Sequence, residues 1–358
     1  MDLPEDLRDL RARIDRIDRE LVRLLGQRAE AAAQVGRVKA GAGDTVFDPG
    51  REEAVIARAV ELGAGPLPAR AVEAVFREII SASRALEAPT RIAYLGEEGG
   101  FGHEAAAARF GSSAFCVPMA DADALLSSLQ ARGADFGSFP ITPSGEDPGF
   151  EAFDLLLNSP FPVVGEFLAE TSHWLLVPGA EPVRRLFGDP FAFTHCRRHL
   201  DQRCPGAERV AVRTGLEAAR LAAHTPGAAA VGARSLGELA GLAVAGEMLD
   251  DVPAAARRYL ILGSEPAPRA PEEKTSLLVA LANRPGTLHH LLGCFASAGA
   301  NVAWLENRAH ARWPWDHLFC LEVEGHQSEE PLRGALQRAR AATEFFKVLG
   351  SFPRAAAR

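Results

Sequence analysis

Apolar positions in the first forty residues recur in alternate steps of three and four: Leu3, Leu7, Leu10, Ile14, Ile17, Leu21, Leu24, Ala31, Val35 and Val38, with Arg28 on the same stripe. This spacing predicts one long helix with a heptad seam. At 1.5 Å per residue such a helix spans roughly 50 to 60 Å, more than the following segments can cover, so a partner chain is expected. Past the turn region Gly41 to Gly43, helices are expected from Arg51 to Leu62 and from Ala69 to Glu87, the second with Val72, Phe76, Ile79 and Leu86 on one stripe.

At Thr90 the texture changes. Short apolar strands at Arg91 to Leu95, Phe136 to Ile141, Val163 to Phe167, Trp174 to Val177, Ala228 to Val231 and Tyr259 to Leu262 alternate with Gly-rich turns and Ala-rich helices. That alternation predicts an α/β layer fold. Pro266, Pro268 and Pro271 then mark an extended connector between Gly263 and Lys274. Beyond it come a strand (Ser276 to Leu281), a helix (Leu288 to Ala298), strands near Val302 and Phe319, a helix (Leu332 to Ala341) and a strand near Val348. The order is that of a compact βαββαβ unit. The expected fold class is multidomain, with an all-α unit, an α/β unit and an α+β unit.

With 358 residues, 47% of them apolar, the chain can bury several cores. A net charge of -8 without a Lys/Arg run argues against a nucleic-acid or anionic-membrane partner. Five scattered cysteines with no C-x-x-C pair read as reduced thiols, and the acidic N-terminus is unlike a signal peptide, so a cytoplasmic location is expected. No stretch approaches the ~20 apolar residues of a membrane span. His195 and His199, four apart on an expected helix near Cys196 and Cys204, have no recognised ligand spacing; no metal and no cofactor are expected. Gly96, Gly99, Gly100 and Gly102 before a helix either present backbone N–H groups to an anion or form an ordinary turn.

The first helix carries the clearest chemistry. Arg28 sits on the apolar stripe, and Arg11 and Lys39, four heptads apart, flank it on one face. Cations on a buried face need anions. Asp48, Arg51 and Glu52 open the second helix, while Ser83 and Glu87 lie one turn apart on the third. Polar groups thus recur where each helix could face one pocket. The run L-R-x-x-I-D-x-I-D-x-E-L-V-x-L-L-x-x-R, with V-G-x-x-K and D-x-x-R-E, resembles the all-helical chorismate mutases. The resemblance implies the Claisen rearrangement of chorismate to prephenate, which needs no nucleophile, only a folded dianion and stabilised charge on the ether oxygen. Guanidinium forks and a fixed ammonium suit that task. It further implies that Arg11 and Arg28 grip the carboxylates, Lys39 meets the ether oxygen, and Glu52 holds the ring hydroxyl. Asp48, Arg51 and Ser83 line the pocket. Arg11 and Lys39 stand roughly 42 Å apart along one straight helix, so Arg11 is expected from the other subunit of a homodimer or higher homo-oligomer. Glu87 stands where many relatives place a Gln; a carboxylate donates only when protonated, so mutase activity is expected to fall as the pH rises.

The segments R-I-A-Y-L-G, A-D-F-G-S-F-P-I, V-V-G-E-F, E-A-A-R-L-A and R-R-Y-L-I-L are similar, in order and spacing, to the prephenate dehydratases. This implies two lobes with prephenate between them and loss of water and carbon dioxide to give phenylpyruvate. Several polar motif positions differ. The family's Thr-Arg-Phe is here Arg257, Arg258, Tyr259; Pro-Ile-Glu-Asn is Pro140, Ile141, Thr142, Pro143; Ser-Thr-Ala is Thr214, Gly215, Leu216; His-Pro-Gln is Asp189, Pro190, Phe191. By this transfer Arg258 and Thr214 are the expected dehydratase-site residues.

K-T-S-L-L-V, N-R-P-G-T-L and N-V-A-W-L-E-N-R in the last unit look like an ACT domain, with Gly286, Leu288, Asn301, Glu306 and Arg308 as expected effector contacts and phenylalanine as a possible effector. The whole order resembles the bifunctional chorismate mutase/prephenate dehydratase family of phenylalanine biosynthesis. The expected domains are 1–89, 90–263, a linker at 264–273, and 274–353. A second reading stays open: a mutase alone, whose other two domains bind an effector or partner, or perform different prephenate chemistry such as decarboxylation.

Overall fold

The computed structural model describes residues 5–42, 48–63, 65–87, 89–141, 152–179, 182–251, 256–310 and 313–355. Contacts divide the chain into two units: Met1–Asp48, Glu52–Thr90 and Phe110–Ala114 form one, and Pro49–Arg51, Arg91–Arg109 and Phe115–Arg358 the other.

The first unit holds three helices, α1 (Glu5–Ala42), α2 (Pro49–Leu62) and α3 (Ala69–Glu87). Leu, Ala and Arg dominate α1 and favour an uninterrupted helix. Pro49 opens α2, where its missing N–H costs no hydrogen bond. Helix α3 packs Val72, Ile80, Ser81 and Arg84 inward. Leu86, expected on the buried stripe, is instead 62% exposed, one position off the inward face. Every residue of α1 from Arg8 to Gln27 is exposed, the apolar seam Leu10, Ile14, Ile17, Leu21 and Leu24 included.

The second unit runs β1 (Arg91–Leu95), α4 (Phe101–Phe110), β2 (Phe115–Met119), α5 (Ala122–Gln130), β3 (Phe136–Pro140), α6 (Ala152–Asn158) and β4 (Val163–Ala169). It continues with β5 (Trp174–Val177), β6 (Arg185–Gly188), α7 (Pro190–His195), α8 (Arg197–Arg203), β7 (Glu208–Ala211), α9 (Gly215–Ala223), β8 (Ala228–Gly232), α10 (Ser235–Ala240), β9 (Ala243–Ala245) and β10 (Arg257–Gly263). The chain ends with β11 (Glu273–Leu281), α11 (Thr287–Ala296), β12 (Val302–His310), β13 (Trp313–Glu324), α12 (Leu332–Ala341) and β14 (Phe345–Pro353).

Three sheets result, ordered β2-β1-β3-β10-β4, β7-β6-β8-β5-β9 and β12-β13-β11-β14. In the first, β1 is parallel to β2 and β3, whereas β10 returns from the second lobe and inserts antiparallel between β3 and β4. In the second sheet β8 is buried at every position, as its unbroken Ala-Ala-Ala-Val-Gly run requires for a strand covered on both faces. The third sheet is wholly antiparallel, and α11 and α12 pack on one face around Leu277, Val279, Phe295, Leu321 and Leu336. Strands β2, β6, β7 and β9 were not among the expected elements. His195 and His199, expected on one helix, lie on two, because α7 ends at His195 and α8 begins at Arg197.

Candidate active sites

In the helical unit, Arg28 of α1 meets Ser83 of α3. Arg28 Nη1 donates to Ser83 Oγ at 2.5 Å, and Ser83 Oγ donates to Ile79 O at 2.7 Å, so the hydroxyl fixes the guanidinium against α3. Glu52, half-buried on α2, accepts from Arg84 Nη1 at 2.5 Å, and Arg84 Nη2 donates to Phe110 O at 2.6 Å. Arg84 is only 5% exposed. It went unrecognised because a basic residue in a last helical turn reads as a surface complement to the helix dipole. Asp48 begins the same turn, its carbonyl accepting Glu52 N at 3.0 Å, and Arg51 is exposed on α2. Arg11 is exposed on the uncovered part of α1, about 25 Å along the helix from Arg28. The side chains of Lys39 and Glu87 lie outside the described residues, although both positions are helical.

In the α/β unit the decisive feature is the alternation of β10, which sends successive side chains to opposite faces. Arg257 stands over the rings of Phe101 and Phe191, 5.2 and 4.9 Å from their centroids. Phe101 also meets His173 edge-on at 4.8 Å, and Phe191 lies against His195 at 3.9 Å. Half-buried Phe101, Phe191 and His195 thus pack around His173, which is 1% exposed, and half-buried Arg257 covers the two phenylalanine rings. His173 Nδ1 lies 2.7 Å from Asp250 Oδ1, and its backbone N–H donates to Asp250 Oδ2 at 2.7 Å. Burial pushes the Asp250 carboxyl upward, but the hydrogen bonds and charge of His173 outweigh it and hold the group below the usual carboxylate range. His173 Nε2 is buried with no hydrogen-bond partner.

Arg258 faces the other way, away from these rings. Its guanidinium binds Glu166 at 2.6 Å and Glu322, and lies 5.3 Å over Trp304. Lys274 closes the ring, 2.7 Å from Glu166 and 2.8 Å from Glu322. Two cations and two carboxylates, all largely buried, therefore join β4 and β10 of the first sheet to β11 and β13 of the third. Burial raises the Glu166 carboxyl, but Arg258, Lys274 and the Ala355 N–H overcome that and hold it below the ordinary range.

Thr214 serves as the N-cap of α9, accepting from Glu217 N at 3.1 Å. Glu97 Oε1 accepts the next N–H, from Leu216, at 2.8 Å, so the protein's own carboxylate occupies that helix N-terminus. The glycine-rich turn is a packing device: a Cβ on Gly102 would lie 2.3 Å from Leu95 O. Asp189 likewise caps α7 by accepting Ala192 N at 2.8 Å, ahead of Pro190. Thr142 and Pro143 lie outside the described residues.

Among the described residues, His173, Cys196 and Asp250 form the group with metal-ligand spacing. Burial, reinforced by Asp250, Asp251 and Asp189, pushes the Cys196 thiol far up, and Asp250 is already engaged by the His173 ring and backbone N–H.

In the third sheet Gly286 precedes α11 at φ 87° and Leu288 packs on the core below. Asn301 follows the helix, its carbonyl accepting Glu324 N at 2.9 Å. Glu306 and Arg308 share the opposite sheet face 3.6 Å apart, with Arg308 5.0 Å over Phe153 of α6. One chain therefore splits the expected effector contacts between two faces.

Residues 10–88 match the family model for chorismate mutase type II, and residues 92–267 that for prephenate dehydratase. A bifunctional chorismate mutase/prephenate dehydratase of Stutzerimonas stutzeri is 34% identical over 98% of this chain and 98% of its own length. That of Neisseria gonorrhoeae is 35% identical over 96% and 95%. Among solved structures, the prephenate dehydratase of Arthrobacter aurescens in complex with L-Phe aligns with TM-score 0.65 and 26% identity, covering 74% of this chain and 90% of its own.

Proposed function

The chain belongs to the bifunctional chorismate mutase/prephenate dehydratase family, and from that membership we propose how its units divide the work. It is an isomerase and a lyase of phenylalanine biosynthesis: chorismate becomes prephenate, and prephenate becomes phenylpyruvate. The observation that carries this reading is the 34% identity to the Stutzerimonas stutzeri enzyme over 98% of both chains.

For the mutase step, Arg28 and Lys39 of one chain and Arg11 of its partner bind the dianion and the ether oxygen, Glu52 holds the ring hydroxyl, and protonated Glu87 donates to the ether oxygen. Asp48 and Arg51 line the same pocket. Ser83 orients Arg28, and Arg84 orients Glu52. Such fixed charges act without reorganising as the C–O bond breaks. The exposed seam of α1 supports the two-chain site, since Leu10, Ile14, Ile17 and Leu21 are each at least 50% exposed in one chain.

For the dehydratase step, prephenate binds at the mouth formed by Phe101, Phe191 and Arg257, whose guanidinium suits a carboxylate. The third sheet is an ACT domain within the domain limits 1–89, 90–263 and 274–353, joined by 264–273. Two copies bring Gly286, Leu288, Asn301, Glu306 and Arg308 together around phenylalanine, the ligand of the Arthrobacter aurescens structure. Five free cysteines support a reducing, cytoplasmic setting.

The test is a time course of purified chain with chorismate. Chorismate is expected to disappear with phenylpyruvate as the end product; prephenate accumulating untouched would favour the mutase-only reading.

A further inference from the structure

The dehydratase reading leaves a chemical question. Expelling the ring hydroxyl requires a proton, and the family's threonine is Arg257 here, a side chain that cannot give one up at neutral pH. Three observations converge on a substitute. His173 packs against the half-buried Phe101, Phe191 and His195, and Arg257 stands over the two phenylalanine rings. Its Nδ1 is tied to Asp250 at 2.7 Å, which fixes the ring's orientation and its tautomer. Its Nε2, the opposite nitrogen, is buried with no partner, an arrangement that costs free energy unless a ligand supplies one.

Resting on the dehydratase reading, we propose that His173 is the proton donor of this step, that Asp250 positions it, and that Arg257 binds a prephenate carboxylate at the mouth. In its protonated form, His173 Nε2–H transfers its proton to the departing hydroxyl. The ring C–O bond breaks and water leaves. The bond from the ring to its carboxylate breaks in turn, its electron pair completes the aromatic ring, and carbon dioxide leaves. The imidazole, left neutral, regains its proton from solvent. Phe101 and Phe191 offer faces on which the new phenyl ring packs.

Neither member of the pair carried a signal in the sequence. His173 lies in the loop just before the apolar strand β5, and Asp250 lies in a loop 77 residues later.

The test uses the full chain, with prephenate as substrate for one activity and chorismate consumption as the internal control. His173→Gln is expected to lower dehydratase kcat by about 100-fold or more, the ordinary scale of general acid catalysis, with KM little changed and mutase turnover intact. Asp250→Asn, nearly isosteric, is expected to lower kcat by about 10-fold with KM unchanged, a split that mere destabilisation would not produce. Arg257→Gln is expected to raise KM instead. Wild-type kcat in either His173→Gln or Asp250→Asn overturns the proposal. A wild-type chain that leaves prephenate intact overturns the dehydratase reading itself, and this assignment with it.

Discussion

Arg257 and Arg258 are neighbours on one strand whose guanidinium groups face opposite ways, the first over Phe101 and Phe191, the second into a buried ring of charges with Glu166, Glu322 and Lys274. One strand thereby carries a pocket side chain on one face and the anchor of the C-terminal sheet on the other. The anchor is a stability element of a particular kind: a closed set of buried pairs contributes little over apolar packing, but opening it leaves a buried charge without its partner.

Glu322→Gln is therefore expected to destabilise the chain by about 3 to 5 kcal/mol, the usual cost of stranding a buried charge. Urea unfolding of the purified protein measures this. A loss below about 1 kcal/mol would show that water reaches the ring and screens it.

The same ring sets an acid limit. Glu166 is held below the ordinary carboxylate range, so it binds fewer protons folded than unfolded over that range. Its contribution to stability is present above the unfolded-chain value and is lost as pH falls through the ordinary range and on below it. Denaturation midpoints recorded from neutral pH downward should drop more steeply for wild type than for Glu166→Gln, which has no proton to take up.

How much of this was legible in the sequence depends on period and distance. The stripe of α1 and the limits of α3 were readable because apolar positions repeat over many turns. Strands β2 and β7 were not, since their burial is broken and mostly exposed, leaving no apolar run to detect. The motif alone places Arg258 among the expected dehydratase-site residues. Its partners in the structure, Glu166 and Glu322, lie 92 and 64 residues away, and strand alternation sends the neighbouring Arg257 to the opposite face, against Phe101 and Phe191. Arg84 was missed for a similar reason: nothing local marks it as buried against Glu52 and Phe110.

Arg84→Met keeps the bulk of the side chain and removes the group that aims Glu52. Mutase kcat/KM is expected to fall by about 10- to 100-fold, as for a misplaced binding group, while dehydratase kcat stays at the wild-type level. Assaying the two reactions separately, with chorismate and with prephenate, checks this.

Glu87→Gln is expected to abolish the fall of mutase rate at high pH, because an amide donates a hydrogen bond at any pH whereas a carboxylate must first be protonated. Rate profiles of both proteins between pH 5 and pH 9, a window of roughly ordinary assay conditions, read this directly. A flat wild-type profile would remove the assigned role.

Subunit mixing tests the two-chain mutase site. Arg11→Ala and Arg28→Ala proteins are each expected to be inactive. After joint unfolding and refolding, about half the dimers are mixed, and each has one site with both arginines, so about a quarter of wild-type activity should return. No recovery would place both arginines in one chain's site.

The central claim is that the α/β unit, with its altered polar motifs, completes the conversion of prephenate to an aromatic product. Feeding prephenate labelled in its ring carboxylate and counting released carbon dioxide against phenylpyruvate measures it most directly. The account predicts equal amounts of the two. Carbon dioxide released without an aromatic product, or neither formed, would contradict it.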